Sequence, residues 1–297
     1  MELRQIRAFY YSIRFGSFIK AAEKLNVTQS AISQQIKGLE NELGLALFNR
    51  YGPRKELTSE GDILFELITP IVQELENLWM RFEDRRGSKR GLLKIAATTV
   101  MIMSYLPPII KRFTEHHPNI KLYILERRWH EAVPMVQSGE VDLCIAPVET
   151  VPSNLAMIEV ERSDRVLITS PDHILADKNN TSLEDIAKFP LIMYERGLVH
   201  RGAIDKVFDD AKLEIEIAME ATNAETIKRY VELGIGVAII PEIAIRAQAI
   251  PQLNIIPVSE HFGKSVYNVV LRKGRPLTSW AENFLHIVCP SWRVQMV

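Results

Sequence analysis

The sequence predicts an α-helical head carrying a basic turn, a long connecting helix, and an α/β body. Three observations predict this. Two short amphipathic helical patterns, separated by a tight break, occupy Phe18–Leu43. An apolar seam at helical spacing runs through Ser59–Arg86. From Leu92 onward, short apolar runs alternate with helical patterns, the rhythm of sheets whose faces are covered by helices.

In the head, Leu3, Ile6, Phe9, Tyr10 and Ile13 recur at three- and four-residue spacing and outline a first helix, ended by Gly16. Phe18, Ala21, Ala22 and Leu25 form one stripe of a second helix, and Asn26-Val27 breaks it. Thr28 then caps a third helix, because its hydroxyl accepts an orphan backbone N–H. Ile32, Ile36, Leu39 and Leu43 mark the buried side of that helix. Its other side carries Gln29, Ser30, Ser33, Gln34 and Lys37. These are uncharged hydrogen-bonding groups and one cation, the kinds that read base edges and touch phosphates. Small Ala21 and Ala22 let the helices cross closely, as in a helix-turn-helix. An amphipathic hairpin with a polar outer face occurs in many α-rich domains, so the flank decides. Gly52-Pro53 is a turn signal set among Arg50, Arg54 and Lys55, which reads as a wing gripping the phosphate backbone.

In the connecting helix Leu64, Ile68, Ile71, Leu75, Leu78 and Phe82 step by 4, 3, 4, 3, 4, an a/d seam of about two and a half heptads. The plainer reading is a helix lying on its own domain. Dimerisation is the expectation, because a helix joining two domains has little local surface to cover its seam. Pro70 removes one ladder bond and predicts a kink or a tilted first half. The polar, glycine-bearing stretch Arg85–Gly91 places the domain boundary.

Strands are expected at Leu92–Thr98, Ile120–Leu125, Val141–Ala146, Arg165–Thr169, Leu191–Tyr194, Glu214–Met219, Val237–Ile240 and Val266–Leu271. Helices are expected at Ser104–His116, Trp129–Gln137, Leu183–Ala187 capped by Ser182, Gly202–Ala211, Trp280–Val288, and from a capping box at Thr222–Glu225 to Leu233.

Charge is divided unevenly. Residues 1–58 hold nine Lys/Arg and five Asp/Glu, a net of +4, which leaves −5 for the rest of a chain whose total is −1. A basic head on an acidic body fits a chain whose first segment alone meets DNA. The N-terminus lacks a signal-peptide core, and no apolar run reaches the length of a membrane helix, so a cytoplasmic location without a membrane partner is expected. Cys144 and Cys289 make neither a disulfide framework nor a metal spacing, and adjacent His116 and His117 project to different sides. No metal, cofactor or catalytic residue is expected, since G-x-S-x-G, H-E-x-x-H and the phosphate-loop pattern are all missing. The rival class is a solute-binding protein or enzyme with an accessory N-terminal helix pair. The first requires export and the second an acid–base pair or nucleophile, and neither signal is present.

The ordered set Leu3-Arg4-Gln5-Ile6-Arg7-Ala8-Phe9, Gly16-Ser17-Phe18, Ala21-Ala22, Thr28–Ser33, Leu39-Glu40, Leu43-Gly44, Leu47-Phe48, Arg50 and Leu57-Thr58-Ser59-Glu60-Gly61 resembles the head of the LysR-type transcriptional regulators of bacteria. The phrases Leu106-Pro107, Gly139–Leu143 and Gly234–Pro241 resemble that family's effector domain, and Pro108 with Ala221–Lys228 resembles its sulfur-assimilation regulators. The resemblance implies a winged helix-turn-helix over 1–58, a linker and dimerisation helix over 59–91, and an effector domain over 92–297 like a periplasmic binding protein. Lobe 1 of that domain is about 92–163 plus 268–297, and lobe 2 about 164–267. It implies a homodimer within a homotetramer, an operator on double-stranded DNA, RNA polymerase as a partner, and a small-molecule effector. The base readers are then Gln29, Ser33 and Gln34, with Thr28, Ser30, Lys37, Arg50, Arg54 and Lys55 on phosphates. The effector site falls on Thr98, Thr99, Val100, Met101, Ala146, Pro147, His200, Arg201, Thr222 and Asn223. Polar groups for an inorganic anion are replaced by the apolar run Val100–Met103, so a small organic anion is expected rather than sulfate.

Overall fold

A computed structural model describes residues 1–49, 56–87, 90–177, 181–246 and 253–292. The chain forms two compact units, one of Met1–Ser88 with Ser138–Glu140 and one of Lys89–Gln137 with Val141–Val297.

The first unit opens with α1 (Leu3–Arg14), α2 (Phe18–Leu25) and α3 (Gln29–Leu43). Phe9, Tyr10, Ala21, Ala22, Ile32, Ile36 and Leu39 form its core, which α4 (Ser59–Arg85) completes with Ile68 and Val72. Asn26 ends α2 in the left-handed region at φ 54°, and Thr28 Oγ1 then caps α3 by accepting from Ala31 N at 3.2 Å. Asn tolerates that conformation better than most residues, which is why so short a break suffices. An antiparallel bridge, Phe48 with Leu57, brackets the expected wing. Arg50, Arg54 and Lys55 themselves lie outside the described residues. The half-buried Glu40 anchors the first arm of this bridge, accepting from Leu47 N at 2.8 Å. Gly61 sits where a Cβ would meet the Leu47 carbonyl oxygen at 2.2 Å, so only glycine lets α4 start there.

α4 continues through Pro70, with Thr69 Oγ1 donating to the Phe65 carbonyl at 2.7 Å. Its apolar residues divide between two faces. Ile68 is buried in the head core and Leu64 packs against it, because α4 covers α1 with that side. Ile63, Leu67, Ile71, Leu75, Leu78 and Phe82 form an exposed stripe, joined by Trp79 at 65% exposure. The expected single seam therefore splits, its first two positions facing the head and its last four outward.

The second unit begins with β1 (Gly91–Ala97), α5 (Leu106–His116), β2 (Ile120–Glu126), α6 (Trp129–Ser138) and β3 (Leu143–Ala146). β1 lies between β2 and β3 and is parallel to both. A π-helical turn, Met101–Tyr105, precedes α5. Pro107 and Pro108 follow it; neither has an N–H to return to the preceding turn, and both rings crowd its carbonyls.

β4 (Leu155–Thr169) is 15 residues long and leads into α7 (Leu183–Ala187), β5 (Leu191–Tyr194), α8 (Val199–Asp210), β6 (Ile217–Ala221) and α9 (Ala224–Glu232). β7 (Ala238–Pro241), α10 (Ile243–Arg246), β8 (Asn254–Pro257), α11 (Ser259–Phe262), β9 (Lys264–Arg272) and α12 (Ser279–Val288) complete the unit. β4 and β9 are antiparallel and join two lobes, each with its own core. Residues 155–164 of β4 pair with β9, and from Arg165 the strand pairs with β7 and β8 instead. The expected parallel sheets are therefore mixed, because these two strands cross between the lobes in opposite directions. The first ten residues of β4 escape the pattern reading because Glu159, Glu161, Arg162 and Asp164 interrupt their apolar alternation.

Candidate functional site

The head presents one polar helix face. Thr28, Gln29, Ser30, Gln34 and Lys37 are exposed on or beside α3, and Ser33 is half-buried. Gln29 Nε2 donates to Ser33 Oγ at 3.1 Å, and the Thr28 and Ser30 hydroxyls lie 2.9 Å apart. These two pairs hold one another, and Gln34 and Lys37 are open to solvent. Ile32, Ile36 and Leu39 fix the helix from behind.

The second unit holds a cleft of about 300 Å³ between its lobes. Thr98, Thr99, Val100, Pro147, His200, Thr222 and Asn223 of the expected set line it. Thr98 follows the end of β1, and its carbonyl accepts from Met101 N and Ile102 N at 3.0 Å, so a helix starts at the cleft wall. Asn223 caps α9 opposite, with Oδ1 accepting from Thr226 N at 2.9 Å. Two helix N-termini therefore face the same space, each with partial positive charge. The expected cap at Thr222 moves one residue on, and Thr222 accepts from Asn223 Nδ2 at 3.3 Å instead.

Three expected residues stand elsewhere. Met101 is fully buried in the lobe 1 core, and Ala146 is buried in β3. Arg201 is turned away and consumed internally, donating to Asp205 at 2.7 and 2.8 Å, to Glu220 Oε1 at 2.6 Å and to the Tyr194 carbonyl at 2.9 Å. Consecutive helix positions point about 100° apart, so when His200 faces the cleft Arg201 does not. The sequence reading missed Arg127, Arg128 and Trp129, which follow β2 and line the cleft. The signal was available: ligands of open α/β sheets sit at the carboxyl ends of strands, and β2 ends beside β1. Arg128 Nη2 reaches across the lobes to Glu195 Oε2 at 2.8 Å.

Two buried polar atoms in this lining, Thr98 Oγ1 and Trp129 Nε1, have no partner among the described residues. Leaving such groups unpaired costs free energy. Arg127 and Arg128 are balanced in the lining by Glu126 and Glu131. His200 adds polarity without charge. Burial, with the Arg165 charge beside it, pushes its pKa down to about 3, and its ring nitrogens lie 3.4 Å from Ser265 Oγ and 3.3 Å from Tyr267 OH. The folded state thus holds His200 neutral while the unfolded chain takes up a proton below about 6.5. This contribution to stability is complete above that value and is lost progressively as pH falls from there toward 3. His200→Gln should reduce the fall in melting temperature between neutral pH and pH 5. An identical fall in both proteins would show that His200 is not held neutral.

A family model described as the LysR substrate binding domain matches residues 86–290, and one described as a bacterial regulatory helix-turn-helix protein of the lysR family matches residues 3–62. The chain is 31% identical to the HTH-type transcriptional regulator CysB of Burkholderia cenocepacia, over all of this chain and 96% of that one. The cofactor-binding domain of the Cbl transcriptional regulator superposes with a TM-score of 0.64 at 29% identity, over 67% of this chain and 88% of that one. Full-length CbnR in complex with its target DNA superposes with a TM-score of 0.70 at 22% identity, over 98% of this chain and all of that one, a likeness of fold. Among the described residues, no helix is long and apolar enough to cross a membrane.

Proposed function

The chain belongs to the LysR family of bacterial transcriptional regulators, and from that premise we propose how its two units divide the work. The head binds operator DNA through α3, and the second unit binds a small organic monoanion in its cleft. The exposed stripe of α4 pairs two chains, two such dimers form a tetramer, and the complex meets RNA polymerase in the cytoplasm. No reaction is catalysed. Effector binding shifts the arrangement of heads only insofar as the ligand binds one arrangement better than the other.

The observation that carries the effector reading is the cleft's polar inventory. Thr98 Oγ1 and Trp129 Nε1 are buried and unpaired, and residues at the N-terminal ends of two helices line the same cleft. The balance of two arginines against two glutamates leaves no surplus cation for a dianion. Val100, Leu198 and Val199 add an apolar wall for hydrocarbon.

On DNA, Gln29, Ser33 and Gln34 read bases. Thr28, Ser30 and Lys37 hold phosphates, joined by Arg50, Arg54 and Lys55. A glutamine amide pairs bidentately with adenine N6 and N7, so Gln34 favours adenine. Gln34→Ala should relax discrimination at one base pair by about 1–3 kcal/mol and leave the salt slope unchanged. A shift assay on operator variants across a salt series tests it. Specificity unchanged at every position would remove Gln34 from the readout.

A further inference from the structure

The helix α10 is only four residues long, yet it belongs to both lobes. Ile243 is buried in the core of lobe 1, while Ala244 and Ile245 are buried in the core of lobe 2. Polar bonds hold it there. Ile243 N donates to the fully buried Ser163 Oγ on β4 at 2.9 Å. Arg246 reaches Glu161 on the same strand at 2.9 Å and Glu242 at 3.1 Å. Lys228 of α9 donates from Nζ to the Ala244 carbonyl at 2.8 Å.

Both walls of the cleft lead to this helix. On one side Thr98, Thr99 and Val100 run directly into the π-helical turn Met101–Tyr105, which packs on α10. Val100 itself packs against the cores of both lobes. On the other side Thr222 and Asn223 lead into α9, whose first residue, Ala224, also lines the cleft. Lys228 lies one turn further along α9. It is 8% exposed and pairs with Glu225 Oε1 at 2.8 Å. An unbranched apolar side chain of similar length would fill that volume without the cost of burying a cation. What the ammonium adds is the bond to Ala244, a carbonyl of the kind that a helix end leaves to outside donors.

We propose that α10 is the spacer that sets the separation of the cleft walls, and that Lys228 is the positioning residue that locks α9 to it. This rests on the cleft being the effector site and adds what fixes its width. Two crossing strands alone would leave the lobes free to turn about them. Widening the cleft requires Ile243 to leave the core of lobe 1 or Lys228 to release Ala244. The walls therefore stand at one width before a ligand arrives, and a ligand that fits is bound without the cost of ordering them.

The test uses the full-length protein and two readouts. Lys228→Met keeps the length of the side chain and removes the donor, Lys228→Arg keeps a cationic donor, and Ile243→Ala withdraws the wedge while leaving Lys228 in place. Hydrogen exchange followed by mass spectrometry should rise in Lys228→Met over residues 98–105 and 222–228, stay unchanged over 120–126, and remain near wild type in Lys228→Arg. Affinities for butyrate and octanoate, taken from the ligand dependence of the melting temperature, supply the second readout. Their ratio should move toward octanoate by about tenfold in Lys228→Met, because looser walls forfeit their fit to the smaller acid. A lysine that only stabilises the fold would lower the melting temperature and leave that ratio alone, which overturns the positioning role. Exchange that rises over 222–228 but not over 98–105 overturns the spacer. If the wild-type protein binds neither acid, the effector reading fails, and the exchange pattern alone decides whether α10 ties the two walls. If Lys228→Met does not fold, Ile243→Ala decides, with the same pattern and the same change of ratio expected.

Discussion

Leu75→Lys is expected to yield a monomer that binds its operator roughly a thousandfold more weakly than the wild-type protein does, the order of the gap between specific and non-specific DNA binding. The size follows from geometry. A helix-turn-helix dimer places two recognition helices one turn of DNA or more apart, and each half-site adds its base contacts to the other. A lone head keeps its phosphate contacts and forfeits the second half-site. Leu75 lies mid-stripe on α4 between Ile71 and Leu78, which are 56% and 58% exposed in the single chain, and Trp79 and Phe82 continue the patch. So long an apolar stripe on one helix marks an interaction surface. A lysine at its centre buries a charge with no partner when two stripes meet. Sedimentation velocity should show the monomer's mass, while Glu66→Ala, a change of charge at a neighbouring exposed position, should leave the dimer intact. An intact Leu75→Lys dimer would return the stripe to solvent or to another partner. Ile68→Lys is the contrasting case. That residue is buried in the head core, so its replacement unfolds the head rather than separating two folded chains.

The same division shows what the sequence disclosed. Spacing alone placed Leu64 and Ile68 in one seam with Leu75, since a heptad reading cannot tell a face covered by the chain's own head from one left for a partner. Local chemistry was legible wherever a side chain acts on its immediate neighbours. Thr28 and Ser182 cap their helices as read, and Ala21 and Ala22 are buried where the helices cross. It was illegible where the deciding partner is far along the chain. Arg201 resembled a free cation beside His200, but its partner Glu220 arrives from β6 and removes it from the cleft. Arg127 and Arg128 belong to no local motif, and they reach the cleft only because β1 and β2 pair side by side. The cap at the start of α9 was misplaced by one residue because Thr222 and Asn223 are both good caps. The strand end at Ala221 fixes the helix start one residue later.

The second large effect is expected in the cleft. Small monocarboxylates with an apolar portion should raise the melting temperature of the full-length protein, and sulfate at the same concentration should not. Thr98→Val should then weaken the carboxylates by about 1.5–3 kcal/mol, roughly tenfold to a hundredfold, the worth of a hydrogen bond to a charged group. The threonine and valine side chains have nearly the same shape, so the substitution removes a buried, unpaired hydroxyl and leaves the wall in place. The unliganded variant should therefore be at least as stable as the wild-type protein, a sign opposite to that of a structural hydroxyl. Sulfate fails on two counts. Its dehydration is large, and the lining sets Val100, Leu198 and Val199 beside two arginines already balanced by Glu126 and Glu131. Arg128 gives an Nη2 N–H to Glu195, so a carboxylate that draws its guanidinium toward itself competes with the ion pair that spans the lobes. Glu195→Gln should accordingly tighten carboxylate binding as Thr98→Val loosens it. Tight sulfate binding that survives Thr98→Val would sink the organic-anion reading. A Glu195→Gln protein with unchanged affinity would show that Arg128 takes no part in holding the ligand.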